Sequence, residues 1–213
     1  MRVLSTKRLK GNQRDLLLGA GFEVVDYNAI TIEYLDFEAP ESCKNAIFTS
    51  QHAVRSILSK NISIDTSFCV GPKTKALLEE NGIKVSKMAY NSQELGDFIT
   101  INHKNEIFHY FCGIIRRDEL PNILKEAKID FFETKTYKTE LKSKKFEQKW
   151  DGILFFSPSG VQSYCLENSL ENNTAICIGD TTAKAAKEHT QNVYVANSTS
   201  VESVIAKAVK KLK

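Results

Sequence analysis

Short apolar runs, rich in β-branched and aromatic residues, alternate along the chain with segments whose apolar positions recur at helical spacing. Val3-Leu4-Ser5 opens the pattern, Leu16, Leu17 and Ala20 follow at helical spacing, and residues 22–27 read again as a strand. Residues 46–49, 67–70, 84–88 and 107–111 predict further strands, separated by helices around 53–58, 74–81 and 94–99. A helix carrying Leu120, Ile123, Leu124 and Ala127 comes next. In the second half, strands at 153–156, 175–178 and 193–196 alternate with helices at 161–166, 182–188 and 201–212. Regular alternation of this kind predicts α/β architecture with parallel sheets.

The pattern is stated twice. Ala46-Ile47-Phe48-Thr49-Ser50 returns as Ile153-Leu154-Phe155-Phe156-Ser157, and Phe68-Cys69-Val70-Gly71 as Ile176-Cys177-Ile178-Gly179. Asn91-Ser92-Gln93-Glu94 returns as Thr199-Ser200-Val201-Glu202, and residues 3–35 have a weaker echo in 109–141. A displacement of about half the chain predicts two similar lobes, with a cleft between them as the natural place for a ligand. The second half lacks an opening strand and helix, and those pieces exist at the amino terminus. Residues 1–33 and 142–213 are therefore expected to form one discontinuous lobe, and residues 38–134 the other. The chain would cross between them at 29–37 and 133–141. There Thr31, Ile32, Tyr34, Thr134, Thr136, Tyr137 and Thr139 have the β-forming content for an antiparallel ribbon. The expected fold is two flavodoxin-like parallel-sheet lobes joined by a two-stranded antiparallel β connection.

Composition narrows the classes. The 213 residues, 42% hydrophobic, can fill two modest cores. No apolar run reaches the length of a membrane span, and Met1-Arg2-Val3-Leu4-Ser5 leads into charged sequence, so a cytoplasmic protein without a membrane partner is expected. The five cysteines, an odd number lying mostly in strand-like runs, read as reduced structural thiols. Neither they nor the four histidines have metal-ligand spacing, so no metal and no cofactor is expected. A net charge of +3, spread along the chain, gives no reason to expect a nucleic-acid partner.

The candidate chemistry lies in the turns after strands. Ser157-Pro158-Ser159-Gly160 puts hydroxyls and free N–H groups at a helix amino terminus, where anions are favoured, with Ser159 as the expected cap. Thr49-Ser50 is the matching turn. Gly71-Pro72-Lys73-Thr74 and Gly179-Asp180-Thr181-Thr182 have glycine for a sharp turn and close ligand approach. Asn91 with Glu94 and Thr199 with Glu202 fit capping boxes. Lys7-Arg8 and Arg116-Arg117 each follow a predicted strand. The chain has no phosphate loop, no dinucleotide glycine fingerprint and no nucleophile elbow. The remaining picture is a pocket of amide donors, hydroxyls and a few cations, suited to a large polycarboxylate.

These residues resemble the uroporphyrinogen-III synthase family over nearly the whole chain. The resemblance rests on Ile47-Phe48-Thr49-Ser50, Val70-Gly71, Phe111-Cys112-Gly113 followed by Arg116-Arg117-Asp118-Glu119-Leu120-Pro121, Tyr137-Lys138-Thr139, Phe155-Phe156-Ser157-Pro158-Ser159-Gly160 and Ile178-Gly179-Asp180-Thr181-Thr182-Ala183. One departure is Ser5-Thr6-Lys7-Arg8, where many similar bacterial members place arginine directly after threonine. The resemblance implies a cofactor-independent lyase that dehydrates and cyclises hydroxymethylbilane with inversion of ring D, giving uroporphyrinogen III for heme biosynthesis. It implies Tyr137 as the group assisting departure of the hydroxyl, with Thr182 as the second catalytic residue. Substrate binding is then expected at Thr6, Lys7, Thr49, Ser50, Gly71, Arg116, Arg117, Ser157, Ser159, Gly160, Gly179 and Thr181. A monomer is expected, in transient contact with hydroxymethylbilane synthase. The competing reading is a non-catalytic two-lobed binding protein for a polyanionic small molecule. A response-regulator-like module is disfavoured because Ser5-Thr6-Lys7 stands where its acidic cluster would be.

Overall fold

The computed structural model describes residues 1–213. The chain runs β1 (Arg2–Ser5), α1 (Gly11–Gly19), β2 (Glu23–Asp26), β3 (Ile30–Tyr34), β4 (Ser42–Phe48), α2 (Gln51–Ile57), β5 (Ser63–Val70), α3 (Pro72–Glu80), β6 (Val85–Ala89) and α4 (Ser92–Asn102). It continues with β7 (Phe108–Gly113), α5 (Glu119–Glu126), β8 (Phe131–Leu141), β9 (Gly152–Phe155), α6 (Pro158–Cys165), β10 (Thr174–Cys177), α7 (Asp180–Lys187), β11 (Val193–Val195) and α8 (Val201–Leu212). The architecture is α/β, built on two sheets that are parallel through their centres.

Two compact units result, one of Met1–Thr31 with Glu140–Lys213 and one of Ile32–Thr139. The first unit's sheet has the order β11-β10-β9-β1-β2, and the second unit's has β3-β8-β7-β4-β5-β6. Counted from β9 in the first and from β4 in the second, both follow the order 3-2-1-4-5, a circular permutation of each other. The duplicated sequence pattern has this physical origin. The first unit takes its fourth and fifth strands from the amino terminus, whereas the second takes them from the chain that follows its third.

The chain leaves the first unit within β3 and returns within β8. Leu35 N–H donates to Thr136 O at 3.0 Å, and Lys142 N–H donates to Ala29 O at 2.8 Å. Rising numbers on one strand thus meet falling numbers on the other, so the two run antiparallel. β8 does more than connect: from Phe131 to Tyr137 it pairs in parallel with β7 and belongs to the second unit's sheet.

Each sheet is apolar on both faces because helices cover both. Val3, Leu154 and Ile176 point to one side of the first sheet, and Leu4, Ile153, Phe155 and Cys177 to the other. In the second sheet Ile47, Phe68, Tyr110 and Cys112 face one layer, and Ala46, Phe48, Cys69 and Phe111 the other. Full burial of each large apolar side chain contributes roughly 1.5–3 kcal/mol. The five cysteines are free thiols, and four of them are buried in these layers. No helix is long and apolar enough to cross a membrane.

Two expected caps are displaced. α6 starts before Ser159, and its cap is Ser157, whose hydroxyl accepts from Gly160 N–H at 3.0 Å. Pro158, with φ already set for a helix, takes the first helical position and pulls the start forward. α8 is capped by Ser200, which accepts from Ser203 N–H, so Thr199 lies one residue outside the cap. Asn91 caps α4 through Glu94 N–H as expected, while the Glu94 carboxylate accepts from Tyr90 N–H at 2.9 Å.

Helix α4 packs on α5 through Gly96, where an added Cβ would stand 2.7 Å from Ile123 Cγ2. Gly96→Ala should therefore lower the unfolding free energy by about 1–3 kcal/mol despite alanine's better helix propensity. In denaturant titrations, Ile123→Ala should cost less in the Gly96→Ala background than in the wild type.

Candidate functional site

In an open parallel sheet, ligands bind beyond the carboxyl ends of the strands, where the strand order reverses. In the second unit that place lies between β4 and β7. A cavity of about 320 Å³ opens there, lined by Thr49 and Ser50 after β4, Val70 at the end of β5, and Tyr90, Asn91 and Ser92 after β6. Tyr110 and Gly113 of β7, Ile115, Arg116 and Arg117 beyond it, and Tyr137 of β8 complete the wall. The volume suits one part of a large ligand.

Tyr137 is turned into this cavity by an irregularity in β8. Phe111 pairs with Thr134 and Cys112 with Lys135, but Gly113 pairs with Tyr137, so Thr136 is an extra, fully buried residue. Strict alternation would put Tyr137 on the side of Phe131, which packs with Tyr110 and Cys112. The bulge moves it to the opposite face, against the cluster containing Phe48 and Phe111. Gly113 makes the room: a Cβ there would lie 2.8 Å from Tyr137 Cζ and 3.1 Å from its hydroxyl oxygen. The His52 ring lies 5.5 Å from the Tyr137 ring, and Tyr34 Oη is 3.5 Å from His52 Nδ1. Burial raises the Tyr137 pKa above that of an ordinary phenol, partly offset by a hydrogen bond with the Ser50 side chain. The phenol is therefore neutral at physiological pH and has a proton to share.

Elsewhere in the cavity wall, Tyr110 and Thr49 share a hydrogen bond of 2.9 Å. Burial pushes the Tyr110 phenol up to about 12, against the lowering effect of Thr49. Arg116 is only 15% exposed in its side chain and pairs with Glu133 and Asp118. Lys135 Nζ donates to the other Glu133 oxygen at 2.8 Å and lies 3.4 Å from Cys112 Sγ. Burial alone would raise the Glu133 pKa, but hydrogen bonds from Lys135 and Arg116 outweigh it and hold the carboxyl below the usual range. Burial likewise opposes the charge on Arg116, and the two carboxylates more than compensate.

The first unit presents an analogous set of turns. Thr6 is buried, and its hydroxyl donates to Leu154 O at 2.8 Å, so that oxygen is held by the backbone of the neighbouring strand. A Cβ on Gly160 would stand 3.3 Å from Ser157 Oγ and 3.4 Å from Thr6 Oγ1, which places these residues side by side. Lys7 and Thr181 are exposed, and Ser159 and Gly179 are half-buried. Gly179 is the extended cap residue of α7, with Thr181 and Thr182 in its first turn, and Thr182 is buried at 2% exposure.

Of the residues singled out from sequence, Thr49, Ser50, Arg116, Arg117 and Tyr137 line this cavity. Gly71 lies at the next turn, where its φ of 89° is a left-handed conformation that glycine tolerates and that sets up Pro72 at the start of α3. Thr6, Lys7, Ser157, Ser159, Gly160, Gly179, Thr181 and Thr182 cluster at the strand ends of the other unit. Sequence reasoning missed Tyr110, Gly113, Tyr90 and Ile115. Tyr110 was hidden as one aromatic residue in a buried strand. Gly113 was visible as the glycine closing Phe111-Cys112-Gly113, but the aromatic ring that needs its missing Cβ comes from a strand 24 positions on.

Comparison with known proteins identifies the family and the fold. The family profile described as Uroporphyrinogen-III synthase HemD matches residues 13–206. The fold is similar to a crystal structure of uroporphyrinogen-III synthetase from Helicobacter pylori 26695, with a TM-score of 0.72, 24% identity and 99% of each chain covered. It is also similar to a mutant uroporphyrinogen III synthase from the extremely thermophilic bacterium Thermus thermophilus, with a TM-score of 0.68, 14% identity, and 100% of this chain and 98% of that one covered.

The depressed carboxyl of Glu133 fixes the sign of one pH effect. Its ionised form is favoured by the fold, so it contributes stability above its ordinary value of 4.5 that is lost as pH falls through the lower folded value. Glu133→Gln should be less stable than wild type at pH 7 by about 1–3 kcal/mol. Its stability should also decline less steeply than that of the wild type below pH 4.5, as followed by denaturant unfolding at a series of pH values.

Proposed function

This chain belongs to the uroporphyrinogen-III synthase family, and from that premise we propose that the Tyr137 cavity holds the reacting end of hydroxymethylbilane while the amide-rich turns hold its carboxylates. The observation that carries this reading is the neutral Tyr137 phenol, bulged into a cavity that also contains Arg116, Arg117 and the Ser50 cap.

The substrate's terminal hydroxymethyl group loses its hydroxyl, leaving an azafulvene cation. Tyr137 donates a hydrogen bond or proton to that departing oxygen, so that water leaves in place of hydroxide. Its raised pKa keeps the proton on the phenol until the C–O bond breaks, when it passes to the departing oxygen, and Ser50, already bonded to the phenol, holds its orientation. The cation is then attacked by the substituted carbon of ring D. A spirocyclic pyrrolenine forms, fragments and recloses with the ring inverted. Without the enzyme, closure gives the non-inverted isomer, so the protein has to change only the relative barriers of two closures. Each tenfold preference needs about 1.4 kcal/mol, well within what orientation of a bound chain supplies.

Carboxylates are held by the N–H groups opening the helices behind Ser50, Ser157 and Gly179, with Gly71, Gly160, Ser159, Thr6 and Thr49 shaping the turns. Arg116, Arg117 and Lys7 add charge-assisted contacts. Thr182, with Thr181, contributes hydrogen bonds to the substrate from the first turn of α7. We place the enzyme in the cytoplasm as a monomer that receives its substrate from hydroxymethylbilane synthase by transient contact.

Incubation with freshly generated hydroxymethylbilane, followed by oxidation and separation of isomers, should give the type III product at a rate far above spontaneous closure. Type I alone at the spontaneous rate would make the protein a binding protein. Tyr137→Phe should keep its KM and lose about a hundredfold in kcat; full turnover would make Tyr137 structural. Gly113→Ala should show a comparable kcat loss, because its Cβ occupies the place of the Tyr137 ring.

A further inference from the structure

We propose that Asp118 is a stand-in for a substrate carboxylate on Arg116, released when the substrate arrives. The proposal rests on the reading of Arg116 as a carboxylate contact in the Tyr137 cavity.

The two acidic partners of Arg116 differ in kind. Glu133 lies on β8, its side chain is 22% exposed, and Lys135 holds its second oxygen at 2.8 Å. It is a fixed anchor inside the sheet. Asp118 lies on the loop after β7, only two positions from Arg116, and its side chain is 75% exposed. Solvent competes for that carboxylate, so its pairing is weak and replaceable.

A guanidinium this enclosed cannot be left with half its donors unmet in the free enzyme, because an uncompensated buried charge is strongly destabilising. Nη2 is satisfied by Glu133, and Nη1 by Asp118 with a longer approach to Arg117 O at 3.5 Å. Nε is buried and has no partner, so the protein's own groups do not saturate the fork. An incoming carboxylate can take the Asp118 position on Nη1. Exchange of one carboxylate for another keeps Arg116 paired throughout. Asp118 returns to water, where a carboxylate is well solvated. The same swap sets specificity. An uncharged substituent cannot displace Asp118, so the arm of the substrate that meets Arg116 must carry an acid.

The test is steady-state kinetics with freshly generated hydroxymethylbilane on wild type, Asp118→Asn, Asp118→Ser, Arg116→Gln and the Arg116→Gln/Asp118→Asn double variant. Calorimetry with tricarballylate, a three-carboxylate probe that cannot cyclise, is run on the same proteins. Asp118→Asn and Asp118→Ser should each lower KM and the probe's Kd by about two- to fivefold, the weight of one exposed ion pair. The gain should appear in KM and not in kcat, and should vanish in the Arg116→Gln background. Unchanged or weakened binding in both Asp118 variants overturns the proposal. If Arg116→Gln leaves KM and Kd as they are, Arg116 is no carboxylate contact, and the proposal falls with its premise. Absence of type III product from the wild type, with tighter probe binding still present in both Asp118 variants, would refute the synthase reading while upholding this one.

Discussion

Burial of both faces of every central strand is the constraint from which the rest follows. Helices cover each sheet on two sides, so residues such as Leu4, Ile47, Phe48, Phe111 and Phe155 are fully enclosed and the strand centres are mostly apolar. Asn45, one of the few exceptions, is tied to Glu106 at 2.7 Å. Chemistry is therefore confined to where the strands stop. There the parallel arrangement places helix amino termini, free N–H groups and short hydroxyl side chains together. The cavity of the second unit and the turns of the first both lie at such ends.

Within that frame a single extra residue decides what the cavity can do. Without the bulge at Thr136, the side of β8 that holds Glu133 and Lys135 would also hold Tyr137, and the phenol would lie beside two charged groups. A phenol there would be drawn into the Arg116 network. With the bulge, cation pairing and the phenol occupy opposite faces of one strand. Tyr137 is left with Ser50, the His52 ring and the open side of Gly113, an environment that keeps the proton on the oxygen.

Much of this was legible in the sequence, and the limits have physical causes. The α/β class follows from periodicity, and the paired topology follows from the displaced repeat, because topologically equal lobes must place like residues at like strand ends. Turn residues such as Ser50 and Arg116 were visible since a turn after an apolar strand is a local pattern. Cap positions slipped by one or two residues, at Ser157 and Ser200, where several adjacent hydroxyls offered equivalent caps and only the backbone angles chose between them. The bulge was invisible, since Thr134-Lys135-Thr136-Tyr137 alternates as an ordinary strand would. The partnership of Gly113 with Tyr137 and of Arg116 with Glu133 depends on β7 lying beside β8, a long-range fact that no local window contains.

The electrostatics of the site explain how a protein of net charge +3 can suit a substrate crowded with carboxylates. A strong basic field would attract polyanions of every kind and bind them without regard to shape. Around Arg116 the charges instead cancel: two cations, Arg116 and Lys135, face two carboxylates, Glu133 and Asp118. In the proposed binding mode Arg116 contributes one exchangeable contact, and donors at the starts of helices such as α2 add to it without following the ligand, since their caps are set by the backbone. Fixed donors reward only a chain folded so that each acid meets its own turn. Since the reaction is decided by which carbon of ring D approaches the cation, a site that recognises conformation more strongly than charge is the kind that can direct closure to one isomer.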